Sequence, residues 1–300
     1  MAQHGGGTMA ETFVTLVSGD LSAAINPLGA ELWSLKDAAG RELMTDADPA
    51  FWPGHAPLLF PIVGRVRNDT YRLDGRDYHL PQHGFARRKP FALIARDAAS
   101  AVFRLEADAE TRAAYPFDFR LDMAFALDGA TLHMTATVIN VGDADMPFSF
   151  GYHPAFAWPL PYGGAVSDHR VVFERTEPAF IRRVGDEPGL IALESVPSPV
   201  VEDTLAPTYA MFASDALIWD DLESRSLTWG APGMPSLRMD FPDTPWLGLW
   251  QKPGARYLCV EPWAGMADPV GFEGTIWDKP GIIRLAPLDT RSFRMDVTLV

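Results

Sequence analysis

The sequence predicts an all-β protein with few helices, a large antiparallel assembly in which two big sheets pack face to face. Three observations carry this expectation. Proline and glycine, 26 and 25 of the 300 residues, are spread along the whole chain and cut it into short segments. Helical periodicity is almost absent. Two Asp-Gly pairs, Asp74-Gly75 and Asp128-Gly129, sit between alternating apolar and polar residues, a strong short-range signal for a hairpin. Such strands are too many for one small sandwich, so residues 11–300 are expected to close as a single large domain.

Taken in order, residues 1–10, with His4 and Gly5-Gly6-Gly7, read as a flexible leader, and either Met1 or Met9 can be the natural start. Residues 13–25 form strand, turn and strand about Ser18-Gly19-Asp20. Asn26-Pro27-Leu28-Gly29 breaks the pairing, and 30–35 resumes it. The apolar stretch 52–67 carries Pro53, Pro57 and Pro61, which argue against a helix or a central strand. It is expected to be a buried loop with Arg65 emerging at its end, where a guanidinium needs an acceptor. Residues 71–80 turn on Asp74-Gly75 and lead directly to His83. The cleanest alternation spans 119–138: Phe119, Leu121, Met123, Phe125 and Leu127 face one way, matched across the turn by Leu132, Met134, Ala136 and Val138. Arg120, Asp122, Thr131, His133, Thr135 and Thr137 then face solvent. Residues 158–205 are loop-rich, with strands expected at 170–173 and 180–184. Further strands follow at 211–219, 226–229, 237–241, 246–250, 257–261, 281–285 and 292–300.

Composition excludes several functions. No apolar run approaches a membrane span, and the start lacks the basic and apolar regions of a signal peptide. A formal charge of −14, with Arg87-Arg88-Lys89 as the only basic run, argues against nucleic acid. The lone Cys259 allows no internal disulfide and no multi-cysteine zinc site, which fits a reducing cytoplasm. No P-loop, dinucleotide fingerprint, nucleophile elbow or calcium loop is present, so acid-base chemistry without cofactor or metal is what remains.

Three stretches place one ionisable residue beside aromatics and a backbone punctuator at a strand end: His83 before Gly84-Phe85, His153 between Tyr152 and Pro154, and Glu261 between Val260 and Pro262. For each histidine the plain alternative is structural, a core imidazole at 153 and a turn residue at 83. Glu261 among apolar neighbours should be desolvated and more basic than usual. Most of the nine tryptophans belong to a core, with Trp263 and Trp33 as candidates for a flat sugar-binding face. Arg87 belongs either to a solvated turn or to a site for one anionic group.

The ordered motifs Asn26-Pro27-x-Gly29-Ala30-Glu31-Leu32, Leu59-Phe60-Pro61-x-Val63-Gly64-Arg65, His83-Gly84-Phe85-Ala86-Arg87, Tyr115-Pro116-Phe117, Gly151-Tyr152-His153-Pro154-x-Phe156 and Glu261-Pro262-Trp263 resemble the aldose 1-epimerase (mutarotase) family over nearly the whole chain. The resemblance implies a galactose mutarotase-like β-supersandwich and interconversion of the α and β anomers of a free aldose. It implies His153 as the general acid for the ring oxygen and Glu261 as the general base for the anomeric hydroxyl. His83 and Arg65 would bind the sugar, and Asp215 is the candidate for a sugar-binding aspartate. If close in space, an imidazolium and a carboxylate should each favour the other's charged form, against desolvation. At Val66-Arg67-Asn68 the chain departs from the longer motif of the best-known galactose mutarotases, which leaves the aldose open. A related branch acts on hexose 6-phosphates, and Arg87 and Arg88 keep that alternative, as does a non-catalytic carbohydrate-binding module. The expected partner is a small sugar, with the protein a monomer or a homodimer.

Overall fold

The computed structural model describes residues 13–300, so the leader assigned to 1–10 lies outside them. The chain is β-rich and antiparallel, as expected. A nine-stranded sheet has the Phe119–Asp128 and Thr131–Asn140 hairpin near its middle, beside the long C-terminal strand Thr290–Leu299. A six-stranded sheet, to which Phe150–Tyr152, Trp246–Trp250 and Tyr257–Ala264 contribute, packs against it. One contiguous apolar core draws on residues from Val14 to Val297.

The hairpins follow their local chemistry. Leu73 pairs with Arg76 around Asp74 (φ 49°) and Gly75 (φ 74°), the double left-handed geometry that Asp-Gly supports. At the second hairpin Asp128 pairs with Thr131, so the turn itself is Gly129-Ala130 with glycine (φ 54°) first, one residue later than the Asp-Gly pair suggests. Leu127 faces Leu132 and Phe125 faces Met134, the register the alternation requires.

Within the proline-rich stretch only Leu58–Leu59 becomes a strand, and it lies at the edge of the six-stranded sheet, where flanking prolines do no harm to a ladder. Two expected strands are corrected. Residues 180–184 make only isolated bridges, Ile181 to Val196, Arg182 to Ile218 and Val184 to Ile191. Of 211–219, the first part is a 3₁₀ turn, Tyr209–Phe212, and only Leu217–Trp219 is strand. One short helix, Ala109–Ala114, is closed by a reciprocal Asp108 and Thr111 cap.

The six-stranded sheet is buried on both faces, and the period of two sorts its residues. Leu258, Val260 and Ala264 point into the main core, whereas Tyr257, Cys259, Glu261 and Trp263 point the other way. Leu247 and Leu249 likewise face the core, leaving Trp246, Gly248 and Trp250 beside Glu261. A one-residue slip would exchange the two sets.

Candidate active site

Tyr152 fixes the approach to His153. Its hydroxyl crosses the core, donates to the Phe293 carbonyl at 2.8 Å and accepts from the Ala136 amide at 3.0 Å, tying one sheet to the other. His153 follows at the end of that strand with Nε2 3.2 Å from Oε2 of Glu261, and both side chains are almost wholly buried. Trp52 and Trp250 flank the imidazole, with ring centroids 5.1 and 6.0 Å away. Residues that are 108 positions apart in sequence thus share one contact, at the wall of a cavity of about 410 Å³.

His83 lines the same cavity, edge-on to His153 at 5.8 Å. Its backbone is left-handed (φ 64°), as is that of Gly84 (φ 66°), where a Cβ would lie 2.3 Å from the Phe60 carbonyl oxygen. The Gly64 amide donates to His83 Nδ1 at 3.1 Å, so Nδ1 is an acceptor. A neutral imidazole carries one N–H, which must therefore be on Nε2. The Gln82 side-chain amide lies 3.4 Å from that atom, and its carbonyl end is the complementary one. Burial, reinforced by the neighbouring Arg87 and Arg88 and by competition with His153 for a proton, holds His83 well below the usual histidine range. It is a neutral donor.

Burial also decides the state of the dyad. It lowers His153 to about 3, with Arg87 acting in the same direction. It raises Glu261 well above the carboxylate range, helped by Asp215 and partly opposed by the Trp263 indole. Mutual attraction of imidazolium and carboxylate was the sequence expectation, but desolvation by burial outweighs it and the pair favours its neutral form. The last proton then sits on the carboxyl side of the contact.

Trp263 lies flat across its neighbours because they have no side chains: a Cβ on Gly151 would be 2.6 Å from its ring, and so would one on Gly248. Asp215 reaches the cavity from a left-handed turn (φ 72°), its Oδ1 accepting from the Ala216 amide at 2.7 Å. Arg87 also lines the cavity. Arg65 does not: Asp69 takes its guanidinium in a two-pronged contact at 2.7 and 2.6 Å, and its stem packs beneath Gly189. Its expected acceptor is thus a carboxylate four residues on. Trp33 stacks on His55 at 3.8 Å instead of facing the cavity. Trp52, Gln82 and Trp250 were not singled out by sequence. Gln82 adjoins a flagged histidine, but no spacing distinguishes Trp52 and Trp250 from core tryptophans.

A buried imidazole and carboxyl in contact at the wall of an aromatic-lined cavity are a pair able to exchange protons with a small molecule seated there. The aldose 1-epimerase family matches residues 12–183, more than half of the chain, and the chain belongs to that family. It is 33% identical over 290 residues to protein LacX (chromosomal) of Lactococcus lactis subsp. lactis, covering 93% of this chain and 97% of that one. In structure it is similar to a galactose mutarotase related enzyme from Lactobacillus acidophilus, with a TM-score of 0.87, 29% identity and 96% and 97% of the two chains covered. It is also similar to a galactose mutarotase-like protein from Lactobacillus casei, with a TM-score of 0.89, 29% identity and coverage of 96% and 100%. Among the described residues no helix is long and apolar enough to cross a membrane.

Proposed function

We propose that the protein is an aldose 1-epimerase that interconverts the α and β anomers of a free hexose in the cytoplasm, as a monomer or homodimer. The observation that carries this reading is the 3.2 Å contact between His153 Nε2 and Glu261 Oε2 at the cavity wall. Opening a hemiacetal needs one proton delivered to the ring oxygen and one taken from the anomeric hydroxyl. Those oxygens share a carbon, so an acid and a base side by side suffice. His153 gives its proton to the ring oxygen, Glu261 takes the hydroxyl proton, the C1–C2 bond turns, and closure on the other face reverses both transfers. The first pair of transfers converts an ion pair into a neutral pair, the form that burial favours. Sugar hydroxyls supply the dipoles that stabilise the ion pair before it reacts. His83 donates from Nε2, Asp215 accepts, and Trp263 carries the apolar face of the ring. Polarimetry of freshly dissolved α-glucose or α-galactose tests the reading. Saturable sugar binding without acceleration would mark a carbohydrate-binding module instead.

One observation favours a phosphorylated substrate as the second reading. Arg87 makes no ion pair within 4 Å among the described residues, its guanidinium donating only to the Gln82 carbonyl at 2.9 Å. Burial and the like charge of Arg88 hold it down to about 10, with Glu31 as the opposing anion. A desolvated cation in the cavity wall suits a phosphate. Arg88 is exposed and does not line the cavity. Inorganic phosphate is then expected to compete with the sugar in the wild type and to lose that effect in Arg87→Ala; absence of competition leaves the free hexose.

The floor gives a third expectation. Gly248→Ala should drive a methyl group into the Trp263 ring, and the displaced floor should lower kcat/KM by roughly tenfold to a hundredfold. Initial polarimetric rates measure this; a wild-type rate would show that Trp263 does not seat the sugar.

A further inference from the structure

We propose that the site also captures a thiophilic divalent cation such as Zn²⁺, held by His153, Cys259 and Glu261, and that this ion shuts the enzyme off. The metal site stands on geometry alone; its inhibitory consequence rests on the dyad reading above. One ligand atom from each of the three residues lies within 4.8 Å of the other two, and all three residues are buried. Cys259 and Glu261 are two positions apart on one face of strand Tyr257–Ala264, and His153 meets that face at Glu261.

Nitrogen, sulfur and carboxylate oxygen are the donors zinc takes, at about 2.0–2.1, 2.3 and 2.0–2.2 Å respectively. Tetrahedral bonds of those lengths set the donors about 3.3–3.6 Å apart. His153 and Glu261 already stand at 3.2 Å, so the sulfur needs to close by roughly 1 Å. The charges balance as well. A divalent ion with one thiolate, one carboxylate and one neutral imidazole brings no net charge into the buried site, which removes the main penalty of burial there. As the metal–sulfur and metal–oxygen bonds form, the thiol proton and the proton shared by the dyad leave to solvent.

His153 and Glu261 line the cavity, so a small cation has an entry path to the sulfur behind them, and the fourth position opens to water or a sugar hydroxyl. Occupied, the imidazole lone pair and the carboxylate oxygen are bonded to metal and can move no proton. Cys259 itself takes no part in the epimerisation.

Co²⁺ is the probe. In the wild type it is expected to give a near-ultraviolet thiolate-to-cobalt charge-transfer band, with tetrahedral visible bands, and both should vanish on adding Zn²⁺. Cys259→Ser and Cys259→Ala, checked for folding by thermal melting, should lose the charge-transfer band. Both variants should keep the basal polarimetric rate while becoming roughly tenfold or more less sensitive to Zn²⁺, since losing a ligand costs at least as much as losing a group that supports one. Chelation should restore the inhibited wild type. A wild-type protein without the band, or Cys259 variants as sensitive to Zn²⁺ as the wild type, overturns the site. A cobalt band in a protein that does not accelerate anomer exchange would leave the metal site standing and remove the epimerase reading; a Zn²⁺-insensitive epimerase would do the reverse.

Discussion

His153→Ala and Glu261→Gln are each expected to lower kcat for anomer exchange by roughly 10²–10⁴-fold, with the double variant little worse than the more damaged single one. In the proposed mechanism His153 gives one proton as Glu261 takes another, so removing either breaks the whole circuit and the effects cannot add. KM should change less, because the residues proposed to hold the ring, His83, Asp215 and the indoles, are left in place. The pH profile carries the sharper test. A histidine in water would give an inflection near its usual value, but burial lowers His153 to about 3 and raises Glu261 well above the carboxylate range. The pair should therefore hold its single proton throughout the interval between, and kcat/KM should be flat across pH 5–7. The rate then falls at high pH as the last proton leaves the pair as a unit. Polarimetric kcat/KM from acid to alkaline pH measures this, and an ascending limb at pH 6–7 would show an imidazolium in the resting enzyme. Additive single-variant losses would separate the two roles.

Much of this arrangement was legible where local chemistry decides. The two hairpins, the alternation from Phe119 to Val138 and the exclusion of the proline-rich stretch from a helix or a central strand all follow from neighbouring residues, although the edge strand Leu58–Leu59 lay in what reads as a buried loop. Ser100–Glu106 alternates too, with Ala101, Phe103 and Leu105 inward, a signal that punctuation alone passes over. Ala92–Arg96 offers none, being exposed along its length at the sheet edge. A six-residue helix is too short to show a period of 3.6. In Tyr257–Ala264 every residue is buried, so alternation disappears from the hydropathy and the face carrying Glu261 cannot be read. The site divides the same way. His83, His153 and Glu261 stand out by their flanks, but their meeting is tertiary. The diversion of Arg65 to Asp69 accompanies left-handed Asn68 (φ 57°) and Asp69 (φ 51°), residue types that take this conformation singly but seldom twice in succession, so the sequence does not announce the reversal.

Lys279→Met is expected to cost about 3–5 kcal/mol of stability, a large share of what holds a domain of ordinary stability together. Lys279 is fully buried, and its Nζ donates to Asp268 Oδ1 at 2.8 Å; burial lowers its affinity for the proton, and Asp268 opposes that. Methionine fills similar space, so the loss would come from the carboxylate left uncompensated. Asp268 is also a junction. Its Oδ2 accepts from the Arg67 amide, its own amide donates to the Arg65 carbonyl, and its carbonyl accepts from the Ile191 amide, each at 2.9 Å. Ile191, and Ala267 next to Asp268, line the cavity that holds His153 and Glu261, so strain at Asp268 reaches the wall of that cavity. Lys279→Met/Asp268→Asn should recover most of the stability, because no buried charge remains and the asparagine carbonyl can still accept from Arg67. Urea unfolding of the two variants beside the wild type decides it: a single variant within about 1 kcal/mol of wild type, or a double variant no better than the single, would mean that the ion pair is not what holds these three loops.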